Sequence, residues 1–112
     1  MVATPEVNSA LLADITDKIV REFHPYKIIL FGSYADGSPN SDSDLDLFVV
    51  MGPDKQAHYR AMDIRAVAKI PYLAMDVIVR TPKEVEERIS INDFFIMELL
   101  EKGRVLYERI TV

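Results

Sequence analysis

The chain of 112 residues contains no cysteine, which excludes disulfide bonds and thiolate metal sites. It has no basic run and a formal net charge of −5, whereas a large nucleic-acid footprint needs clustered Lys and Arg. No window approaches about 18 apolar residues, and the opening MVATPEVNSA lacks the basic and apolar segments of a signal peptide. We therefore expect a soluble cytoplasmic protein that binds neither nucleic acid directly nor membrane.

The composition is that of a globular protein, with 49% hydrophobic and 28% charged residues. This length supports one core and leaves no room for a separate substrate-binding domain. We predict a single domain over residues 1–112, in which residues 1–7 form a loose lead.

Residues 26–50 hold the most informative pattern, YKIILFGSYADGSPNSDSDLDLFVV. Two apolar strands, at 26–31 and 45–51, are predicted on either side of a polar loop with a short helical turn at 33–36. Because alternate residues of a strand face the same way, Asp44 and Asp46 share one face. Two adjacent carboxylates repel each other, and Mg²⁺ relieves that repulsion while leaving sites for water and substrate phosphates. Gly32 and Ser33 suit phosphate oxygens, since glycine allows close approach to the backbone.

The rest of the chain alternates between helical and extended patterns. Helices are predicted at 8–23, ended by His24 and Pro25, at 54–70, at 82–89 behind a capping box, and at 93–102 behind Asn92. We interpret His24 and His58 as ordinary helix residues rather than ligands. The stripes at 57, 61, 64, 67 and 68 and at 94, 95, 97, 99 and 100 are predicted to be core.

Two further strands are predicted, at 72–80 and 104–109. Asp76 lies within the first of them, where a buried charge is costly unless it is paired or bound to metal. We expect it to be buried and to join Asp44 and Asp46 as a third carboxylate. Asp36 and Asp42 are interpreted instead as turn-capping or solvated residues.

Two other motifs fail on their spacing. An EF-hand loop beginning at Asp42 would need glycine and glutamate where Leu47 and Pro53 stand. A phosphate-binding P-loop beginning at Gly32 would need a lysine after Gly37, where serine and proline follow.

Gly32-Ser33, ten intervening residues and Asp44-x-Asp46 resemble the signature of the DNA polymerase beta type nucleotidyltransferases, specifically their minimal (MNT) branch. The closing FFIMELLEKGRVLYE is similar to the usual end of an MNT protein. The resemblance implies an α/β (α+β) fold of the polymerase-beta nucleotidyltransferase type, with a mixed sheet of three or four strands flanked by helices.

The resemblance also implies a reaction, the transfer of AMP from ATP to an acceptor hydroxyl with two Mg²⁺ ions. Asp44 and Asp46 would hold the metal, and Asp76 would complete the second metal site or act as base. The nucleotide would be bound by Gly32, Ser33 and Ser43. MNT proteins are often antitoxins that transfer AMP to a tyrosine of a HEPN-domain toxin, so a HEPN toxin is the expected partner.

One departure from the family pattern concerns the residue after Gly-Ser, which is often arginine and here is Tyr34, with Asp36 two positions later. It leaves open a second interpretation, a weak or inactive binding module that neutralises its partner by occlusion. A third, modification of a small molecule, is less favoured because such enzymes usually carry an added helical domain.

Overall fold

The fold is built on one four-stranded mixed sheet, as predicted. The computed structural model describes residues 6–40, 42–53 and 57–110, without the side chains of residues 57–59. The strands are β1 (Lys27–Phe31), β2 (Leu45–Val50), β3 (Met75–Arg80) and β4 (Arg104–Glu108), in the order β3-β2-β1-β4. β1 is antiparallel to both β2 and β4, whereas β2 and β3 are parallel.

Five helices occur in the described residues: α1 (Ser9–Phe23), α2 (Ser33–Asp36), α3 (Ala57–Ala68), α4 (Pro82–Ser90) and α5 (Phe94–Lys102). The predicted caps of the first and fourth are confirmed. The side chain of Asn8 accepts a hydrogen bond from the Leu11 N–H at 2.9 Å. Thr81 and Glu84 form a capping box, in which each side chain accepts from the other residue's backbone N–H.

Apolar residues alternate along the strands, so each face of the sheet carries its own core. α1 and α3 pack on one face, where Ile15, Ile19 and Ile64 belong to the same buried cluster as Leu45 and Leu47. α4 and α5 cover the other face, where the buried residues are Ile29, Phe48, Val50, Ile96 and Leu99. Odd and even positions of one strand therefore belong to different cores.

The third strand is shorter than predicted, because the chain turns before entering it. Tyr72 has a positive φ of 65°, and Ile70 forms an isolated bridge with Leu73. Strand pairing begins only at Met75. The predicted cap Asn92 was also wrong: it lies one residue too early, and the Asp93 side chain accepts the hydrogen bond from the Ile96 N–H.

The predicted core stripe of the last helix is wrong in three positions. Phe94, Phe95 and Met97 are exposed by 77%, 48% and 43%, while Ile96 and Leu99 face the sheet. On α3, Val67 is also exposed, whereas Ile64 and Ala68 are buried. An apolar residue near the start of a helix can extend past the edge of the sheet and remain exposed. The order of residues along the chain does not show where that edge lies.

Some predictions fall outside the described residues. These are the state of residues 1–5, the start of the second helix at 54–56, and the side chains of Ala57 and His58. His24 is exposed and ends α1, where its N–H donates to the Val20 carbonyl, as predicted. Among the described helices, none combines the length and apolarity needed to cross a membrane.

Gly103 sets how closely α5 approaches β1. A Cβ at this position would lie 2.4 Å from the Leu99 carbonyl oxygen and 2.5 Å from Cγ2 of Ile29. Its φ of −68° is open to any residue, so the requirement for glycine here is steric.

We expect Gly103→Ala to lower the free energy of unfolding by about 1–3 kcal/mol, because α5 must move away from β1. Urea denaturation followed by circular dichroism measures this change. Gly52→Ala is the matched control, since its Cβ would meet nothing closer than the Tyr26 hydroxyl at 4.0 Å. Equal effects of the two substitutions would contradict the steric explanation.

Candidate active site

The residues predicted to form a site lie at one end of the sheet. β1 ends where β2 and β3 begin, because β1 is antiparallel to β2 and β2 is parallel to β3. Asp46 is paired with Phe31 on one side and with Asp76 on the other. Neighbouring strands lie about 4.8 Å apart, so the two aspartates stand side by side.

Gly32 and Asp46 approach each other closely. A Cβ on Gly32 would lie 2.2 Å from Oδ2 of Asp46, so the carboxylate occupies the space that a side chain would need. Gly32 also has φ 75° and ψ −159°, a conformation essentially restricted to glycine. Both the backbone and its neighbour therefore require glycine at this position.

The environment of Asp46 disfavours the charged form of its carboxyl group. Its pKa is raised from 3.8 to about 6, chiefly by burial and then by the charges of Asp76 and Asp44. In the part of the chain that the structure describes, no hydrogen bond or ion pair reaches this carboxylate. Asp44, Asp46 and Asp76 therefore interact as one acidic group, as their sequence positions suggested.

The prediction that Asp76 is buried was wrong. Its side chain is exposed, although Val77 and Val79 on the same strand are buried. Asp76 stands near the start of β3, which is the outermost strand on this side, so solvent reaches it from the end and edge of the sheet. The Asp76 carboxylate stays in contact with water because of its position in the sheet, and not because a partner neutralises it.

The loop between β1 and β2 is held by its own polar side chains. The Ser43 hydroxyl accepts a hydrogen bond from the Asn40 N–H at 2.8 Å, and the Ser43 N–H donates to the Asn40 carbonyl at 3.1 Å. The Asp36 carboxylate accepts from both the N–H and the hydroxyl of Ser38. Asp42 is exposed. Asp36 and Asp42 thus cap the turn or stay solvated, as predicted. The two hydrogen bonds between Ser43 and Asn40 fix the backbone directly before Asp44.

Tyr34 does not take the place of a basic side chain in this site. It is partly buried and packs against the core that α1 and α3 form with the sheet. Its ring therefore stabilises the Gly32-Ser33 turn from the side of the sheet that α1 and α3 cover.

A cleft of about 240 Å³ opens beside the turn, and sequence reasoning missed it. It is bounded by the end of β1, by α2 and by α5, and Phe31 stacks edge-on against Phe95 at 5.8 Å between ring centroids. The available signal was the spacing of the last helix, whose positions 95, 98, 99 and 102 share one face. The lining residues are Phe31, Gly32, Ala35, Asp36, Phe95, Glu98, Leu99, Lys102 and Gly103.

The donor atoms at this end of the sheet fit a hard divalent cation. Within residues 6–40, 42–53 and 57–110, no three His, Asp or Glu side chains are grouped to hold a metal ion by themselves. Mg²⁺ does not require such a group, because it commonly takes one or two carboxylates and completes its shell with water and substrate phosphates. A cation beside Asp46 would also relieve the repulsion that raises its pKa.

The family model for the nucleotidyltransferase domain matches residues 13–106. The chain belongs to this family.

A relative from Methanocaldococcus jannaschii, named "Putative protein adenylyltransferase MJ0604", is 39% identical over 83 residues. The match covers 72% of this chain and 77% of the relative. It is independent support for the family assignment.

Two solved structures share the fold. One is "a putative nucleotidyltransferase from Sulfolobus solfataricus", with a TM-score of 0.60, 20% identity and coverage of 89% of this chain and 79% of that one. The other is "the toxin-antitoxin with AMP-PNP", with a TM-score of 0.58, 19% identity and coverage of 87% and 73%.

We expect Gly32→Ala to destabilise the protein more than Gly37→Ala does. Both glycines have positive φ, 75° and 84°, but a Cβ on Gly37 would meet nothing within 4 Å. Backbone strain costs about 1–3 kcal/mol at such positions, and only Gly32→Ala adds a collision with Asp46. Urea denaturation of both variants measures the difference, and a smaller loss for Gly32→Ala would contradict the close approach.

We expect Asp46→Asn to be more stable than the wild type at neutral pH. When the pKa of a carboxyl group is higher in the folded state than in the unfolded state, the folded protein becomes less stable as the pH rises from about 4 to about 6. This loss of stability remains at higher pH. The two proteins should therefore match near pH 4 and diverge up to about pH 6. Urea denaturation from pH 4 to 8 tests this, and parallel stability curves would show that the pKa of Asp46 is not raised.

Proposed function

We propose that this nucleotidyltransferase transfers AMP from ATP to a hydroxyl of a protein acceptor, a tyrosine of a HEPN-family toxin, and so acts as an antitoxin. The observation that carries the proposal is the position of the Asp46 carboxylate, which lies against Gly32 and beside Asp76. The acidic group and the Gly32-Ser33 turn therefore lie together at one end of the sheet, and their proximity supports the proposal.

The M. jannaschii relative and the toxin-antitoxin structure support the choice of acceptor and of nucleotide. The M. jannaschii relative carries a name that specifies a protein as acceptor and adenylyl as the transferred group. The solved toxin-antitoxin structure contains AMP-PNP, a nucleoside triphosphate analogue. Both are consistent with an ATP-dependent antitoxin.

In the proposed reaction, the acceptor oxygen attacks the α-phosphorus of ATP. A new oxygen–phosphorus bond forms, the bond from the α-phosphorus to the bridging oxygen breaks, and pyrophosphate leaves. Asp44 and Asp46 would hold Mg²⁺, with Asp76 completing a second metal site. When bound, the metal neutralises phosphate charge and lowers the pKa of the attacking hydroxyl. Gly32 and Ser33 would bind the outer phosphates through backbone and hydroxyl groups.

Asp76 is the member of the acidic group best placed to meet an incoming acceptor. It is exposed and stands on the outermost strand, whereas Asp46 is enclosed between two strands. A carboxylate in this position can take the proton from the attacking hydroxyl. We therefore assign Asp76 this role in addition to, or in place of, metal binding.

The exposed side chains of α5 suit a protein acceptor. Phe94, Phe95 and Met97 extend into solvent, and Phe95 also lines the cleft beside Gly32. Aromatic residues and methionine are enriched in protein interfaces. A toxin that covers this face of α5 would bring its surface next to the acidic group.

We expect intact-mass spectrometry to detect the addition of one or more AMP units to the product of any adjacent HEPN-type gene, after incubation with ATP and Mg²⁺. Asp44→Asn and Asp46→Asn should each slow the transfer about a thousandfold, because metal-assisted charge neutralisation is worth several kcal/mol. Asp42→Asn is the matched control, since Asp42 lies in the same loop and is exposed.

The same samples distinguish the occlusion hypothesis. If the toxin gains no AMP with any nucleoside triphosphate but still forms a stable complex with the Asp44→Asn, Asp46→Asn double variant, the protein acts by binding. Loss of activity in Asp42→Asn equal to that in Asp44→Asn would contradict the assignment of the metal ligands.

A further inference from the structure

The cleft beside the Gly32-Ser33 turn contains one basic side chain that the proposed reaction has not yet used. Lys102, the last residue of α5, lines this cleft together with Gly32. Among the described residues that line it, Lys102 is the single base, and Asp36 and Glu98 are acidic. A ligand rich in negative charge would find its only cationic side chain there.

Lys102 and Gly32 line the same cleft, at the same end of the β1–β4 pair. β1 and β4 are antiparallel with Leu30 opposite Arg104, so the chain leaves β1 towards Gly32 at the end where it enters β4 after Lys102. Asp46 approaches Gly32 from the β2 side. The turn therefore lies between the acidic group and a cleft that Lys102 lines.

Lys102 is held in an ion pair that is easily exchanged. Its Nζ lies 3.2 Å from Oε1 of Glu98, and the two side chains are exposed by 71% and 43%. An exposed pair of this kind contributes at most about 1 kcal/mol, whereas a phosphate carries more charge and more acceptor oxygens than a carboxylate. A phosphate group in the cleft would therefore compete well for Lys102.

We propose that Lys102 binds the outer phosphates of the nucleoside triphosphate and exchanges Glu98 for phosphate oxygens when the nucleotide enters. This inference rests on the proposed function for the identity of the ligand. A triphosphate seated on the Gly32-Ser33 turn lies near several carboxylates, and Lys102, which lines the cleft beside the turn, offsets their repulsion.

Isothermal titration calorimetry with ATP, inorganic triphosphate and AMP, each with Mg²⁺, tests this assignment. Lys102→Gln should weaken the binding of ATP and inorganic triphosphate about tenfold, because one charge-assisted contact is lost. It should leave the binding of AMP unchanged, since AMP lacks the outer phosphates. Lys102→Arg should retain most of the affinity for ATP.

Glu98→Gln should act in the opposite direction. Removing the carboxylate that competes for Lys102 should strengthen ATP binding by up to about fivefold. In the Lys102→Gln background the same substitution should lose most of this effect. Opposite signs at two neighbouring exposed residues are not expected from a general loss of structure.

Lys18→Gln is the matched control. Lys18 forms an ion pair of the same i,i+4 spacing and the same 3.2 Å distance with Asp14, but on α1, which packs on the other face of the sheet. It should change neither ATP nor triphosphate binding. A loss equal to that of Lys102→Gln would mean that general charge rather than position matters, and would overturn the inference.

The remaining outcomes separate this inference from the proposed function. If Lys102→Gln binds ATP as the wild type does while Asp46→Asn does not transfer AMP, the inference fails and the function stands. If triphosphate binding depends on Lys102 but no toxin gains AMP, the function fails and the inference stands. If the wild type binds no triphosphate, both fail.

Discussion

The site depends on one contact, the approach of the Asp46 carboxylate to the backbone of Gly32. It leaves no space for a Cβ and sets the conformation of the turn that follows β1. It also holds a carboxylate between strands, where burial and the charges of Asp76 and Asp44 raise its pKa. The structure thus keeps like charges close together, which is unfavourable for stability and useful for metal binding.

The helices on the two faces of the sheet support different parts of the candidate site. α1 and α3 bury one face and also receive Tyr34, so the core on that face supports the turn from behind. α4 and α5 cover the other face, and the end of α5 lies beside β1 because Gly103 has no side chain. This close approach brings Phe95 and Lys102 to the cleft. The packing of one helix therefore determines which side chains stand next to the nucleotide turn.

Much of the fold was predictable because each element carries a local signal. Alternation along β2 separates Leu45 and Leu47 from Asp46, and Thr81 with Glu84 fixes the start of α4 through a capping box. Predictions failed where burial depends on distant neighbours. Asp76 was expected inside and is exposed, because the linear pattern did not reveal that β3 is the outermost strand.

The sequence by itself indicated the Gly32-Ser33 turn, the interaction of Asp44 with Asp46, and the class of reaction. Those features follow from backbone period and residue chemistry over a short stretch of chain. Only the tertiary structure decided that Asp76 is exposed beside Asp46, that Phe94 and Phe95 are exposed, and that Lys102 lines the same cleft as Gly32. These depend on strand order and on the packing of α5 against β1, which join residues far apart in sequence.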